Sequence, residues 1–323
     1  MKNVVYYLKT TFVMDLNNVS ITVAVDEYLR HCRFERGLDE KTISSYRSDL
    51  LQFIARMPHE AVLSWITREY LRTWVESLSA YKYTSAKRKI ASVRTFLHYL
   101  EVEYEAFLNP FHRLQIKIKD PGRLPVVMTS TEVGAIFSRL QSRVAEVKMG
   151  TQRYVLRMRD RAVIELLFST GMRIGELCGL RNDDVDLFER RVRVRGKGKR
   201  ERVVDIGPIP ALIALREWME LRPTSDAPGN WLFTNRLGNA LASQSVRTLV
   251  HQLCRECTIT KKVTPHTFRH TFASLMLEED VDVAFIQHIL GHSSIATTQI
   301  YLHVNPCRQR EILQQRHPRG RMM

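Results

Sequence analysis

Apolar residues recur at helical spacing through the first third of the chain. Asp39 is a residue type that caps helix N-termini, and after it the apolar positions step by three and four residues: Ile43, Tyr46, Leu50 and Phe53. The same spacing returns between positions 90 and 100. Because one face of each stretch is apolar, both stretches predict amphipathic helices with a buried face. The pattern is helical from Ile21 onward and predicts a helical N-terminal domain.

The opposite faces of these two helices combine short hydroxyl side chains with basic residues. The candidate DNA-binding residues are Lys41, Ser44 and Ser45 on the first helix and Arg88, Ser92 and Thr95 on the second. Hydroxyls beside cations suit contacts with phosphates and base edges in a DNA groove. An ordinary solvated helix face carries the same pattern, and the pattern alone favours that second interpretation.

Proline and glycine interrupt the helical pattern between positions 109 and 128. This basic segment contains Pro110, Pro121, Gly122 and Pro125, which cannot continue a helix. We interpret it as an interdomain linker. The predicted organisation is an N-terminal extension (1–19), a helical domain (20–108), the linker (109–128) and a second domain (129–323).

The second domain begins with helical patterns at 130–147 and 159–169, and its periodicity changes near position 190. Val192 and Val194 alternate with arginines, the glycine-rich stretch 196–199 turns the chain, and a second apolar run ends at Ile206. This pattern predicts an antiparallel hairpin. Positions 189–202 hold eight basic and two acidic residues, a net charge of +6 around Lys197. The predicted fold class is therefore a helical N-terminal domain plus a mixed, mainly α C-terminal domain with a small antiparallel β-sheet.

Composition narrows the class of protein and of partner. The formal charge of +15 and the pI of about 9.8 favour a polyanionic partner, usually nucleic acid. Five scattered cysteines predict a reducing cytoplasm rather than a disulfide framework. Cys254 and Cys257 form a lone Cys-x-x-Cys without a second pair, so we predict no metal and no cofactor. Since no long apolar run occurs, we expect no secretion signal and no membrane association.

Two short clusters carry cations suited to phosphate chemistry. In the first, Gly171 ends one helix and Arg173 begins the next, which places a guanidinium beside a helix N-terminus. In the second, Thr264 and the proline after it start a helix that presents His266 and Arg269 on one face.

A third cluster joins Gly291 and His292 to Tyr301, nine residues after that histidine. Gly291 is placed to end a helix in the left-handed conformation, which fixes His292 just beyond it. Taken singly, these residues have plainer explanations. A His-x-x-Arg pair arises by coincidence, a helical tyrosine usually packs, and His266 with His270 is half a zinc site without a third ligand.

Together with Lys197, these clusters resemble the tyrosine recombinases, also called phage integrases. The segments LGHSSIATTQIY (290–301) and HTFRHTFA (266–273) carry the most specific similarity, and the tail after Tyr301 is similar to the Xer branch. The resemblance extends from about Ile21 to the last residue. It implies the integrase fold, with a SAM-like core-binding domain followed by a catalytic domain. It also implies a site-specific recombinase that cleaves and religates DNA through a 3′-phosphotyrosyl intermediate.

The catalytic residues expected on this basis are Arg173, Lys197, His266, Arg269, His292 and Tyr301. A phosphodiester attacked by a phenol develops charge on its non-bridging oxygens, which the two arginines can stabilise with His292 as a further donor. Tyr301 would be the nucleophile, His266 the general base and Lys197 the general acid. Glu176 resembles an acidic position of the family and is expected to orient Arg173. The phosphotyrosyl ester conserves the bond energy, so neither ATP nor a metal is required.

The resemblance also predicts partners and biological setting. We expect double-stranded DNA and a homotetramer on two sites, with the last helix docked on a neighbouring protomer, in the cytoplasm at the nucleoid. An accessory protein is left open. Gln141–Leu156 looks like an insertion relative to Xer proteins, so integration or excision of a mobile element stands beside Xer-like resolution.

Two further classes remain as alternatives. A type IB topoisomerase shares the chemistry but only relaxes supercoils, and the Xer-like tail argues against it. A catalytically silent DNA-binding regulator could use the same fold. The complete catalytic set argues against that class.

Overall fold

The computed structural model describes residues 16–116, 118, 125–196, 201–222 and 229–291. The chain divides into two compact units, with the division after position 123.

The first unit is helical, as the apolar periodicity predicts. Its helices are α1 (Ile21–Phe34), α2 (Glu40–Ile54), α3 (Arg68–Ser77) and α4 (Tyr83–Glu103). Asp39 caps α2, because its carboxylate accepts a hydrogen bond from the backbone N–H of Thr42 at 2.9 Å. The predicted apolar faces meet in one core, in which Tyr28, Phe53 and Phe96 are fully buried.

The first part of the predicted linker packs on the first unit. Asn109 caps a short 3-10 turn, Pro110–Arg113, and Phe111 of this turn is buried in the first core. Leu114, Ile116 and Ile118 pack against the same core. At the other end, Met128 is buried in the core of the second unit. Apolar side chains therefore bind both ends of this segment to the flanking units.

The second unit combines helices with one small antiparallel sheet. Its helices are α5 (Ser130–Ala145), α6 (Gln152–Thr170), α7 (Ile174–Cys178), α8 (Ile209–Leu221), α9 (Ser243–Glu256), α10 (Pro265–Glu278) and α11 (Val283–Leu290). The strands β1 (Val185–Asp186), β2 (Arg191–Arg195) and β3 (Glu201–Asp205) follow one another in the sheet. The fold class predicted from the sequence is thus confirmed.

The β2–β3 pair is the predicted hairpin. Val192 lies opposite Val204, and Arg195 lies opposite Glu201. Val192 and Val194 are fully buried, while the arginines that alternate with them along β2 are exposed, as the alternation of side chains across a strand requires.

Helix α6 runs through the centre of the second core and begins seven residues before the predicted start at 159, at Gln152. Thr151 caps this earlier start, since its hydroxyl accepts from the backbone N–H of Tyr154 at 3.2 Å. The expected insertion, 141–156, accordingly covers the end of α5, a turn and the first turn of α6. Within the part of the chain that the structure describes, no helix is long and apolar enough to cross a membrane.

Candidate functional site

The C-terminal ends of α6 and α11 meet the side of α10 at Gly171. Helix α6 ends there in the left-handed conformation, with φ of 58°. A Cβ at this position would lie 2.7 Å from Leu290 Cδ2 and 2.8 Å from Phe272 Cδ1. Glycine is therefore required both by the backbone conformation and by the close approach of α10 and α11. This approach brings the segments around Arg173, Arg269 and Leu290 together.

Arg173 is the N-cap residue of α7, as the sequence predicts. Its guanidinium donates to Glu176 Oε1 at 2.9 Å, and its backbone N–H donates to Glu176 Oε2 at 2.8 Å. The Arg173 side chain remains 41% exposed, so this anchored cation faces solvent. These two contacts support the orienting role that we expect for Glu176.

Arg269 is buried, with 4% of its surface exposed. Its two terminal nitrogens donate to the carbonyls of Gly171, at 2.8 Å, and Leu290, at 2.7 Å. Both carbonyls lie at helix C-termini, where the helix dipole favours a cation. Arg269 therefore joins the ends of α6 and α11 and holds a guanidinium in one orientation.

His266 lies on the first turn of α10, which begins as predicted with Thr264 as cap and Pro265 as first residue. Burial lowers the pKa of His266, and the nearby charges of Arg269, Arg173 and Arg247 lower it further. The imidazole is consequently neutral at pH 7, the state in which it can accept a proton.

Arg202 on β3 completes this set and was missed by the sequence reasoning, which counted it only within a basic run. Its guanidinium donates to both oxygens of Glu176, each at 2.9 Å. Burial acts to raise the pKa of Glu176, but the hydrogen bonds and charges of Arg202 and Arg173 outweigh it and leave the pKa lowered. The sequence did contain a pattern that could have identified Arg202. Residues two apart share a strand face, so Arg202 lies on the same inward face as Val204.

Four of these side chains border one open cleft with a volume of about 1080 Å³. Arg173, Glu176, Arg202 and His266 line it, together with residues of α11. Gly291 ends α11 in the left-handed conformation, as predicted, with φ of 63°. Three of the expected catalytic residues, Lys197, His292 and Tyr301, lie outside the described residues.

The candidate DNA-binding residues of α2 are exposed: Lys41, Ser44 and Ser45. On α4, Arg88 is about half exposed and pairs with the buried carboxylate of Asp49.

Two candidates on α4 are covered by neighbouring helices. Ser92 is 1% exposed, and its hydroxyl donates to Asp49 Oδ2 at 2.7 Å. Thr95 is half-buried and accepts from the Tyr28 hydroxyl at 3.0 Å. Ser92 therefore does not lie on an exposed groove-facing surface, contrary to our prediction, because α4 buries this part of its polar face against α2.

Among the described residues, no group of three or more His, Cys, Asp or Glu side chains could hold a metal ion. Cys254 of the Cys-x-x-Cys pair is buried, and burial raises the pKa of its thiol to about 11. A protonated thiol is a poor metal ligand.

Comparisons with known families cover both units. Residues 132–308 match the Phage integrase family, and residues 25–103 match the N-terminal SAM-like domain of phage integrases. A tyrosine recombinase from Agathobacter rectalis is 38% identical over 305 residues, covering 94% of this chain and 98% of that relative. Tyrosine recombinase XerC from Thermodesulfovibrio yellowstonii is 32% identical over 301 residues, covering 91% of this chain and 96% of the relative.

Two solved structures share the fold. The XerH site-specific recombinase bound to palindromic difH substrate, in a post-cleavage complex, has a TM-score of 0.72 at 21% identity, covering 90% of this chain and 83% of XerH. A lambda integrase tetramer bound to a Holliday junction has a TM-score of 0.65 at 20% identity, covering 86% of this chain and 79% of that one.

Proposed function

We propose that this chain, which belongs to the phage integrase family of tyrosine recombinases, carries out its site-specific DNA recombination by attacking a phosphodiester with Tyr301. The phenol oxygen forms a bond to phosphorus while the bond to the 5′-oxygen breaks. The 3′-phosphate is then held as a phosphotyrosyl ester. Attack by a 5′-hydroxyl from a second DNA strand reverses the step and rejoins the DNA.

The observation that carries the proposal is that Arg173 and His266 line one cleft. Arg269 lies one turn after His266 on α10 and donates to the carbonyl of Gly171, two residues before Arg173. Charge develops on the non-bridging oxygens as the pentavalent phosphorus forms, and guanidinium groups held in fixed orientations stabilise that charge. Arg173 is fixed by Glu176, and Arg269 by two helix-end carbonyls. We assign the phosphate to these two arginines, with His292 as a third donor.

Proton transfers follow from the same assignment. A tyrosine with the ordinary pKa of about 10 is a poor nucleophile until it loses its proton. His266 accepts that proton, since burial and the neighbouring arginines lower its pKa and keep the imidazole in the neutral form that has a free acceptor nitrogen. Lys197 gives a proton to the departing 5′-oxygen.

DNA is the partner, and the chain acts as an oligomer. The finer proposal is a tetramer on two paired sites, with the tail after Tyr301 docked on a neighbouring protomer and an accessory protein left open. The net charge of +15 supports a polyanionic partner. Because the substrate is chromosomal or mobile DNA, we place the activity in the cytoplasm at the nucleoid.

A second cleft of the second unit supports further contact with the DNA backbone. Its volume is about 510 Å³, and its lining includes Arg153, Arg157, Arg159 and Arg236 with a single acidic residue, Asp160. Asp160 pairs with Arg159 at 2.7 Å, which leaves an excess of cationic charge to attract phosphates.

The proposed outcome is either integration and excision of a mobile element or resolution of the Xer type. The two differ in the DNA that is cut, so one experiment addresses both chemistry and target. Nicked suicide duplexes would be prepared from DNA flanking the gene and from Xer-type sites. Wild-type protein should form a denaturation-resistant adduct, visible on an SDS gel, with one of them.

The matched control is Tyr301→Phe, which lacks only the nucleophilic oxygen. It should bind the same duplex with unchanged affinity and form no adduct. An adduct in this variant would remove Tyr301 as the nucleophile. Tight binding without an adduct in the wild-type protein would instead favour a silent DNA-binding regulator.

A further inference from the structure

We propose that Arg202 is a positioning residue for strand cleavage, which holds Glu176, and through it Arg173, in register with the β2–β3 hairpin and the end of α11. This inference rests on the proposed function. Arg202 links its own strand, β3, to α7 and α11. In the proposed role, Arg202 makes no contact with the DNA.

Arg202 makes three hydrogen bonds that reach far along the chain. Its terminal nitrogens donate to Glu176 Oε1 and Oε2, each at 2.9 Å. Its Nε donates to the carbonyl of Ile289 at 3.2 Å. The guanidinium of Arg202 thus links β3 to the first turn of α7 and to the last turn of α11.

Glu176 is the shared acceptor of this arrangement. The same Oε1 accepts from Arg202 and from Arg173, both at 2.9 Å, while Oε2 also accepts the backbone N–H of Arg173. Its side chain is 6% exposed, so a carboxylate there requires cationic partners. The arginine fork occupies both oxygens and fixes the carboxylate plane against which Arg173 is oriented.

Gly291 provides independent support. A Cβ at this position would lie 3.0 Å from Arg202 Cδ and 3.2 Å from its Nε. The stem of Arg202 therefore passes directly beside the glycine that ends α11, and a larger residue there would require this stem to shift by a few tenths of an ångström. The residue that follows Gly291 in the sequence is His292, a proposed phosphate donor.

Arg202 differs in this respect from Arg191, on the neighbouring strand of the hairpin. Arg191 is about half exposed and pairs with the exposed carboxylate of Asp205 at 3.0 Å. Arg202 is 17% exposed and faces the interior. Arg191→Ala is therefore a matched control on the neighbouring strand, outside the cleft.

The test measures single-turnover cleavage of a suicide duplex by the full-length Arg202→Lys and Arg202→Ala variants. Lysine keeps the charge but cannot occupy both oxygens of Glu176. Since a misplacement of about 1 Å can cost about 10²-fold in rate, we expect both variants to lose about that factor. DNA affinity should stay within about threefold, and Arg191→Ala should cleave like the wild type.

A pH profile separates positioning from a merely structural role. Without Arg202, the pKa of buried Glu176 rises, because a favourable cation is removed while the burial remains. As the pH falls, Glu176 then takes up a proton at a higher pH than in the wild type and no longer holds Arg173 properly. The acid side of the rate profile should move to higher pH in Arg202→Ala.

A second variant approaches the same contact from the other side. Gly291→Ala would press on the Arg202 stem and strain a backbone at φ of 63°, so it should reproduce the rate loss. Wild-type rates in Arg202→Lys would overturn the proposal. So would an equal rate loss at every pH accompanied by weakened DNA binding, which indicates general damage to the fold. Failure of the proposed function is seen separately, as absence of an adduct with the wild-type protein.

Discussion

Arg269 is a buried cation one turn after His266, and its two carbonyl contacts leave little freedom for a replacement. Arg269→Lys keeps the charge but loses the planar fork, so transition-state stabilisation should fall. We expect a loss of about 10²–10³ in the rate of adduct formation. Single-turnover cleavage with saturating DNA measures it. The control is Arg255→Lys, at the exposed end of α9, which should leave the rate unchanged. A wild-type rate in Arg269→Lys would show that Arg269 does not act at the phosphate site.

The pKa of His266 leads to a pH prediction. The pKa lies below the ordinary value of about 6.5 for histidine, so the neutral base persists into mildly acidic solution. Arg247→Ala removes one of the charges that lower it, so the pKa should rise and the acid side of the cleavage profile should move to higher pH. The ratio of rates at pH 6 and pH 8 measures this. Arg255→Ala on the same helix is the control; an unchanged ratio in Arg247→Ala would argue against His266 as the base.

At the residue scale, sequence alone predicted the backbone devices that position the site. Thr264 caps α10 and Pro265 is its first residue, while Gly171 and Gly291 end α6 and α11. Sequence could predict these features because each depends on local conformation. Arg202 could not be identified in this way. Its partner Glu176 is 26 positions away, and only the folded hairpin brings the two together.

At the scale of helices, a buried carboxylate joins α2 to α4. Asp49 is 1% exposed and pairs with Lys89, which is itself buried, and with Arg88 and Ser92. Asp49→Asn leaves Lys89 with no charged partner there, so the free energy of unfolding of this unit should fall by about 3–5 kcal/mol.

Hydrogen exchange of α2 and α4 amides in the full-length protein measures this loss, as an increase of about 100-fold or more. Asp26→Asn serves as the control, because its pair with Arg47 at 3.6 Å is exposed and should contribute at most about 1 kcal/mol. Equal exchange in the two variants would show that the buried pair does not stabilise the unit.

The same helices allow a structural and a DNA-contacting role to be told apart. Ser92→Ala should lower stability and leave DNA affinity unchanged, because its hydroxyl is directed to Asp49. Lys41→Ala should leave stability unchanged and reduce the salt dependence of DNA binding by about one phosphate contact. Binding isotherms at several salt concentrations measure the slope. An unaltered slope in Lys41→Ala would indicate that this face of α2 is an ordinary solvated surface.

The mistaken placement of Ser92 has a physical reason. Periodicity identifies the face of a helix but not which neighbour covers its polar side. On α4, the polar face includes Ser92 and Lys89, both buried against Asp49, so part of it serves the core. A related point holds for the predicted linker: prolines end helices, but they do not prevent Phe111 from packing in the first core. Tertiary burial decides both cases, and local sequence does not encode it.

At the scale of the whole molecule, the described residues of the proposed cleavage site, both catalytic and positioning, come from one unit, while the recombination reaction needs several copies of the chain. Arg173, Glu176, Arg202, His266 and Arg269 are held together by contacts within residues 124–323. Strand exchange between two sites additionally requires that protomers assemble, which we attribute to the tail beyond Tyr301. Cleavage of one site and pairing of two sites should therefore be separable.

Deletion of residues 308–323 tests this separation. The truncated protein keeps every proposed catalytic residue, so we expect it to bind a single site and to retain binding with a salt dependence like that of the full-length protein. Complexes that contain two DNA sites should be lost, because the docking segment is absent. Native gels with differently labelled duplexes count the sites in each complex. Full pairing by the truncated protein would assign assembly to another surface, and loss of single-site binding would show that the tail also supports the fold.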